Sequence, residues 1–288
     1  MSDTGETPGG GPVAGGAADV AAQGAAAAAE AVPARQRGLL PPIRRIGLGA
    51  PFRWLTGAWG DMRKAWIPCL VYGGVLAGIS FLTGLALVLT DASFLALVLT
   101  CGFVFIAPML GMGLYEAGRL IEAGEPPTLP RMAFVQRAFS QDVAYLGLFL
   151  LLIYLLWGRI AQLVYGLSTW HLHDSVSKFV TFALTTGEGH TMLMTGSLIG
   201  GVIAFFTYMI VVVAAPMLLD RQTNVFAATV TSFTAVAANP VPMALWAVLI
   251  VLLLLASAAT AFALLVVVFP LLGLASWRAY RDLVGQTP

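Results

Sequence analysis

The side chains best suited to metal chemistry in this 288-residue chain are three histidines and two cysteines. His171, His173 and His190 fall in one polar stretch, where His171-x-His173 followed by Asp174 could present two imidazoles to a cation. The spacing matches no metal-site pattern, so the three stand as candidate ligands beside the plainer reading of a solvated loop. Haem in a bilayer needs axial ligands facing it from the spans. No histidine lies deep in an apolar run, and no cofactor is expected. Cys69 and Cys101 sit inside apolar runs without a CxxC pattern and read as small core residues rather than a disulfide. Arg159 and Gln162 form the second constellation. At i and i+3 they share a helix face, and an ionisable residue inside an apolar segment is a functional suspect. Tyr154 and Tyr208 would complete a candidate polar intramembrane site; alternatively Arg159 snorkels to the outer interface. The chain contains no phosphate loop, GxSxG or HExxH, and its isolated Asp and Glu residues lie at the ends of apolar runs. No catalytic residues, and no enzyme, are expected.

The apolar runs decide how these residues are held. Residues 242–277 contain no Asp, Glu, Lys, Arg or His. As one helix the run would be roughly 54 Å long at ~1.5 Å per residue, whereas a hydrocarbon core is ~30 Å thick and takes about 20 residues to cross. The run must cross, turn near Ser257-Ala258-Ala259-Thr260, and return. Composition agrees: 59% of residues are hydrophobic and 10% charged, with mean hydropathy +0.87, where soluble domains are about a quarter charged. The long, non-alternating runs argue for helices, which satisfy their own backbone groups in lipid. A net charge of +1 gives no reason to expect a nucleic-acid partner. The expected fold is all-α: a polytopic membrane protein with six transmembrane helices as three hairpins, three amphipathic interfacial helices, and the lipid bilayer as its first partner.

In chain order, residues 1–48, rich in Ala, Gly and Pro, read as a disordered cytoplasmic tail, and residues 49–288 as the membrane domain. Residues 51–66 place Phe52, Leu55, Trp59, Met62 and Trp66 on one face of an interfacial helix. Spans one and two are expected at 67–89 and 93–114, the second continuing through Tyr115, Glu116, Arg119 and Glu122 to a loop at 124–128. A second amphipathic helix, 129–142, groups Phe134, Val135, Ala138 and Phe139. Span three (143–164), a polar stretch (168–189) and span four (192–218) follow. A third amphipathic helix, 224–238, carries Phe226, Val230, Phe233 and Ala237 on one face, and the charge-free run supplies spans five and six. With six spans, nearly all Lys and Arg fall on one side, Arg159 and Lys178 excepted, which places both termini in the cytoplasm. Trp54, Trp59, Trp66, Tyr115, Arg119, Trp277 and Arg281 are the expected interface anchors. Gly74-x3-Gly78 and Gly196-x3-Gly200 are expected sites of close helix approach.

The chain also repeats. PMLGMGLYEAGR (108–119) and PLLGLASWRAYR (270–281) share P-x-L-G-x3-[YW]-x3-R, and Ala215-Pro216-Met217-Leu218 echoes Ala107-Pro108-Met109-Leu110. With their preceding elements these define three units, 51–125, 129–222 and 223–284, each a surface helix, a span and a return span, related by an axis along the membrane normal.

The stretches GAPFRWLTGAWGDMR, GLYEAGRLIEAGEPPTL, ANPVPMALW and PLLGLASWRAYRDLV resemble a bacterial family of six-helix inner-membrane proteins of unknown function, some of whose members are labelled as a cytochrome c oxidase subunit. The resemblance covers about residues 49–285. In that family the closing motif often carries His where this chain has Leu274 and Arg278. The resemblance therefore implies a fold and a location, multi-pass in the bacterial inner membrane, and no metal or haem activity. The expected role is non-catalytic: an accessory, assembly or scaffolding component, with a membrane-protein partner, beside a respiratory complex. The alternative is a small-solute transporter or channel with its polar site around Arg159 and Gln162. The homo-oligomeric state stays open.

Overall fold

The computed structural model describes residues 40–89, 93–169 and 176–285. Among these the chain forms an all-α membrane protein with no strand; its one extended pairing is an isolated antiparallel bridge between Ile43 and Val284. Helix α1 (Ala50–Lys64) precedes α2 (Trp66–Leu89), and the chain returns through α3 (Ser93–Leu110) and α4 (Met112–Glu122). Helix α5 (Leu129–Ala133) and a 3-10 turn (Gln136–Phe139) lead into α6 (Gln141–Ser168), α7 (Val176–Thr185), α8 (Gly187–Val211) and α9 (Ala214–Asp220). Helices α10 (Val225–Ala238), α11 (Pro240–Ala259) and α12 (Leu265–Leu283) complete the chain.

Four stretches are long and apolar enough to cross a bilayer: Trp66–Leu87, Gln141–Ser168, Gly187–Asp220 and Pro240–Ala259. Their outward side chains, such as Leu82, Leu152, Leu198 and Leu255, are more than half exposed. Each would cost ~1.5–3 kcal/mol in water relative to burial, a cost that lipid removes. The other two expected spans correspond to α3, with 18 residues, and α12, whose last turns carry Arg278, Arg281 and Asp282. Between α11 and α12 the chain turns where length alone requires it. Ala261 and Phe262 take positive φ of 47° and 67°, and Thr260 Oγ1 accepts the Leu264 N–H at 3.1 Å.

Two of the three return helices break near their prolines. Pro108 removes an amide from the ladder and the helix gives way at Gly111, which caps α4. The break between α8 and α9 leaves orphaned backbone groups that Ser232 of α10 satisfies: its hydroxyl accepts the Val213 N–H at 3.1 Å and donates to the Met209 carbonyl at 2.8 Å. Helix α12 runs through Pro270 unbroken. The Val266 carbonyl, deprived of its i+4 donor by that proline, lies against Gly73 of α2, where a Cβ would collide with it.

Several expectations need correction. Residues 40–48, expected in the tail, are tied down. Arg44 N–H donates to the Leu283 carbonyl at 2.8 Å and Gly285 N–H to that of Pro42 at 3.1 Å. Asn239 Oδ1 also accepts the Ile46 N–H at 2.8 Å. The expected helix 129–142 is two short pieces, because Val135 turns into the core and leaves Phe134 and Phe139 outside. The polar stretch 168–189 contains α7, whose Phe179 and Phe182 pack with Met192. On α2 the close contact is at Gly73, since a Cβ at Gly74 or Gly78 would meet nothing within 4 Å. On α8 Gly200 does admit a neighbour, the Trp157 ring. Gly73→Ala is therefore expected to cost ~1–3 kcal/mol, while Gly74→Ala and Gly78→Ala leave stability unchanged or raise it. Thermal unfolding of the three variants in one detergent checks the contrast.

Candidate functional site

The charged residues of the three return segments meet in one layer at the end of the molecule. Arg281 of α12 is its centre. Its guanidinium donates to Glu122 Oε1 through Nη2 and Nε at 2.7 and 3.1 Å, and to Asp220 Oδ2 through Nη1 at 3.3 Å. Glu122 ends α4 and Asp220 ends α9, so one side chain links all three return segments. One turn earlier on α12, Trp277 Nε1 donates to the other Glu122 oxygen at 3.1 Å, and the Arg281 guanidinium lies 5.9 Å from the Trp277 ring centre. Gly118 of α4 permits this, since a Cβ there would come within 2.7 Å of the indole.

A hydrogen-bond chain extends from Asp220. Tyr280 donates its phenol proton to Oδ2 at 2.6 Å and accepts from Arg221 Nε at 2.9 Å. Arg221 Nη2 reaches the Gly285 carbonyl at 2.8 Å, and Arg137 Nη1 bonds the Leu219 and Asp220 carbonyls at 3.2 and 2.9 Å, capping α9. Burial, then the Asp220 carboxylate, pushes the Tyr280 phenol well above its ordinary value. Glu116 is buried and held by Arg119 at 2.6 and 2.8 Å. That hydrogen bond raises the Arg119 pKa against the opposing effect of burial. On the flank, Arg278 pairs with buried Asp61 at 2.6 Å and Trp54 Nε1 donates to Asp282 at 2.9 Å, binding α1 to α12. A shallow cavity of about 210 Å³ lies among Arg119, Glu122, Asp220, Trp277 and Arg281. Each of these charges already has a partner, so the chemistry of the layer is cross-linking.

Of the residues expected to form the intramembrane site, the structure brings Arg159 and Gln162 together. Arg159 Nη1 donates to Gln162 Oε1 at 3.1 Å, with both side chains exposed on α6. Tyr154 packs at Gly102, and the Tyr208 hydroxyl donates to the Met243 carbonyl at 2.8 Å. His190 Nε2 lies 2.9 Å from the Leu184 carbonyl; His171 and His173 lie outside the described residues. Cys69 is buried with a free thiol. Of the expected anchors, Trp59 and Trp66 are exposed on the surface. Trp54, Tyr115 and Trp277 instead face inward, each at most 6% exposed. Arg119 and Arg281 bind carboxylates. Apolar rings suit protein and lipid equally, and here the acidic partners Asp282 and Glu122 draw Trp54 and Trp277 inward. Sequence reading did not single out Glu122, Asp220 or Tyr280 as a site. The available signal was an acid at the end of each of the first two return segments, set against the Arg of the third.

Residues 95–220 match the family described as "Predicted integral membrane protein (DUF2189)", which has no assigned function. The matched stretch runs from α3 to the end of α9 and includes the 113–129 segment that carries part of the resemblance above. No curated protein and no solved structure matches the chain.

Replacing Asp220 by Asn should lower stability by ~1–3 kcal/mol, because it weakens one acceptor shared by Arg281 and Tyr280. A double-mutant cycle with Arg281→Gln should give a coupling of roughly 1 kcal/mol, measured from thermal midpoints in detergent.

Proposed function

We infer that the protein is a non-catalytic scaffold or accessory component of the bacterial inner membrane. The single observation that carries this reading is the Arg281 bridge to Glu122 and Asp220. It joins three hairpins into one braced unit and uses its charges for that purpose. The helices at this end then present aromatic residues outward: Phe52, Trp59 and Trp66 at α1, Phe134 and Phe139 beside the 3-10 turn, and Phe226 and Phe233 on α10. A rigid body with outward aromatic faces suits lipid and a membrane-protein partner better than turnover of a solute. The small-solute transporter reading lacks an assembled site at Arg159 and Gln162, which bond each other on an exposed helix face.

In this reading the chain crosses six times as three units, 51–125, 129–222 and 223–284, with both termini cytoplasmic. The pairing of Ile43 with Val284 favours an even number of crossings, since paired backbone segments share one side of a bilayer. The recurring order of short helix, span and return segment favours three units. The resemblance makes a respiratory complex the first partner to look for. Purification from native membranes in mild detergent should recover the protein with a second membrane protein in fixed proportion. Repeated recovery alone, at natural abundance, would remove the scaffold reading.

Topology is tested separately. Ile43 and Val284 form a non-hydrogen-bonded antiparallel pair, flanked by the Arg44–Leu283 and Gly285–Pro42 bonds. Such pairs hold their Cα atoms about 4.5 Å apart, within disulfide range. Ile43→Cys with Val284→Cys, in a chain otherwise lacking cysteine, should cross-link within one molecule on mild oxidation, seen as a mobility shift on non-reducing gels. A membrane-impermeant thiol reagent should reach Gly124→Cys only in inside-out vesicles and Glu188→Cys only in right-side-out ones. Labelling of both from the same side would refute the six-span layout.

A further inference from the structure

We propose that the cavity between the return helices and α11 is a binding site for an uncharged, ring-sized lipophile carrying one hydrogen-bond-accepting oxygen. The cavity measures about 120 Å³ and lies where α3 and α4, α8, α11 and α12 converge. Its walls are largely apolar: Phe105, Ile250, Leu254, Phe269 and Leu272 line it. Gly111 and Gly273, at equivalent places in the two P-x-L-G motifs, also line it, as does Pro108 at the helix break; Tyr115 packs over Gly111 and Leu114 over Gly273.

Its polar groups are unequal. Thr207 donates to its own helix at the Ile203 carbonyl, 2.8 Å away, and Tyr208 donates to Met243. The hydroxyls of Tyr115 and Ser276 have no hydrogen-bond partner among the described residues, although both residues line the cavity and Tyr115 is only 6% exposed. With no partner among the described residues and with its oxygen not sealed off, the Tyr115 phenol can donate to an acceptor oxygen brought in by a guest. The volume sets the size of the guest. A cavity of about 150 Å³ walled by aliphatic and aromatic side chains takes up benzene, so this one suits a single ring or a short hydrocarbon segment. A charged guest is excluded by the apolar walls. The source of such molecules is the bilayer in which the helices lie. Tyr115 lies one turn before Arg119 and Ser276 beside Trp277, so the site abuts the charged layer without using its residues.

The test uses the full chain in lipid nanodiscs, with 4-fluoroacetophenone as probe and 4-fluoroethylbenzene as its counterpart lacking the carbonyl. Fluorine NMR is recorded against empty nanodiscs to subtract partition into lipid. The wild-type protein should bind the ketone saturably, and Tyr115→Phe should weaken it about fivefold while leaving the hydrocarbon unchanged. Ala204→Phe or, if that variant does not fold, Leu254→Trp should fill the cavity and abolish saturable binding of both. No saturable binding of the ketone by the wild-type chain overturns the proposal. So does a Tyr115→Phe protein that retains the full preference for the ketone, or a filled cavity that leaves binding intact. None of these outcomes bears on whether the protein acts as a scaffold.

Discussion

Arg281 is the side chain on which closure of the molecule depends. In a bilayer, burial does not drive one apolar hairpin against another, because lipid tails are as apolar as the helix surfaces. Hairpins are held by close packing and by polar contacts that lipid cannot replace. Here the two are coupled. Gly118 lets the Trp277 indole approach α4, which brings the indole N–H to Glu122; one turn later Arg281 reaches the same carboxylate. Its remaining nitrogen holds Asp220, and Asp220 holds Tyr280. Three segments distant in the chain are thus fixed by one planar cation whose fork geometry suits two acceptors at once.

Features dictated by length and by backbone chemistry were legible in the sequence. The charge-free run of residues 242–277 had to turn near its middle, and α11 ends at Ala259. Each return segment carries a proline, Pro108, Pro216 or Pro270, and two of the three segments break near it. The third shows what sequence could not supply. Pro270 frees the Val266 carbonyl just as any helical proline would, yet α12 continues through it, with that carbonyl packed against Gly73 of α2. That contact joins segments far apart in the chain, so no local pattern shows it.

The orientation of apolar faces was not legible, for a reason specific to membranes. A helical wheel separates apolar from polar residues, but both the protein interior and the lipid accept apolar ones. On α10 the aromatic face of Phe226 and Phe233 points outward, while Ala228, Thr231, Ser232 and Ala235 form the packed face. That is the reverse of a soluble amphipathic helix, and it follows because small residues permit close approach and Ser232 repairs the α8–α9 break. The partners of Arg281 were hidden differently. Glu122 and Asp220 precede it by 159 and 61 positions, so no local spacing rule could connect them.

Residues 42–46 and 283–285 close onto the same end of the structure. Asn239, at the junction of α10 and α11, accepts from Ile46 and donates to the Arg44 carbonyl at 3.1 Å, while residues 42–44 pair with 283–285. The C-terminal end of α12, which carries Arg281, is therefore held on two sides: by carboxylates from the ends of α4 and α9 and by the backbone of residues 42–44. The stretch that matches the membrane-protein family, residues 95–220, contains both acceptors, Glu122 and Asp220, but neither Arg281 nor residues 42–44. That stretch supplies the two carboxylates of the layer but not the Arg281 guanidinium that bonds both. The elements outside the match, α12 above all, thus supply the cation that links α4 to α9.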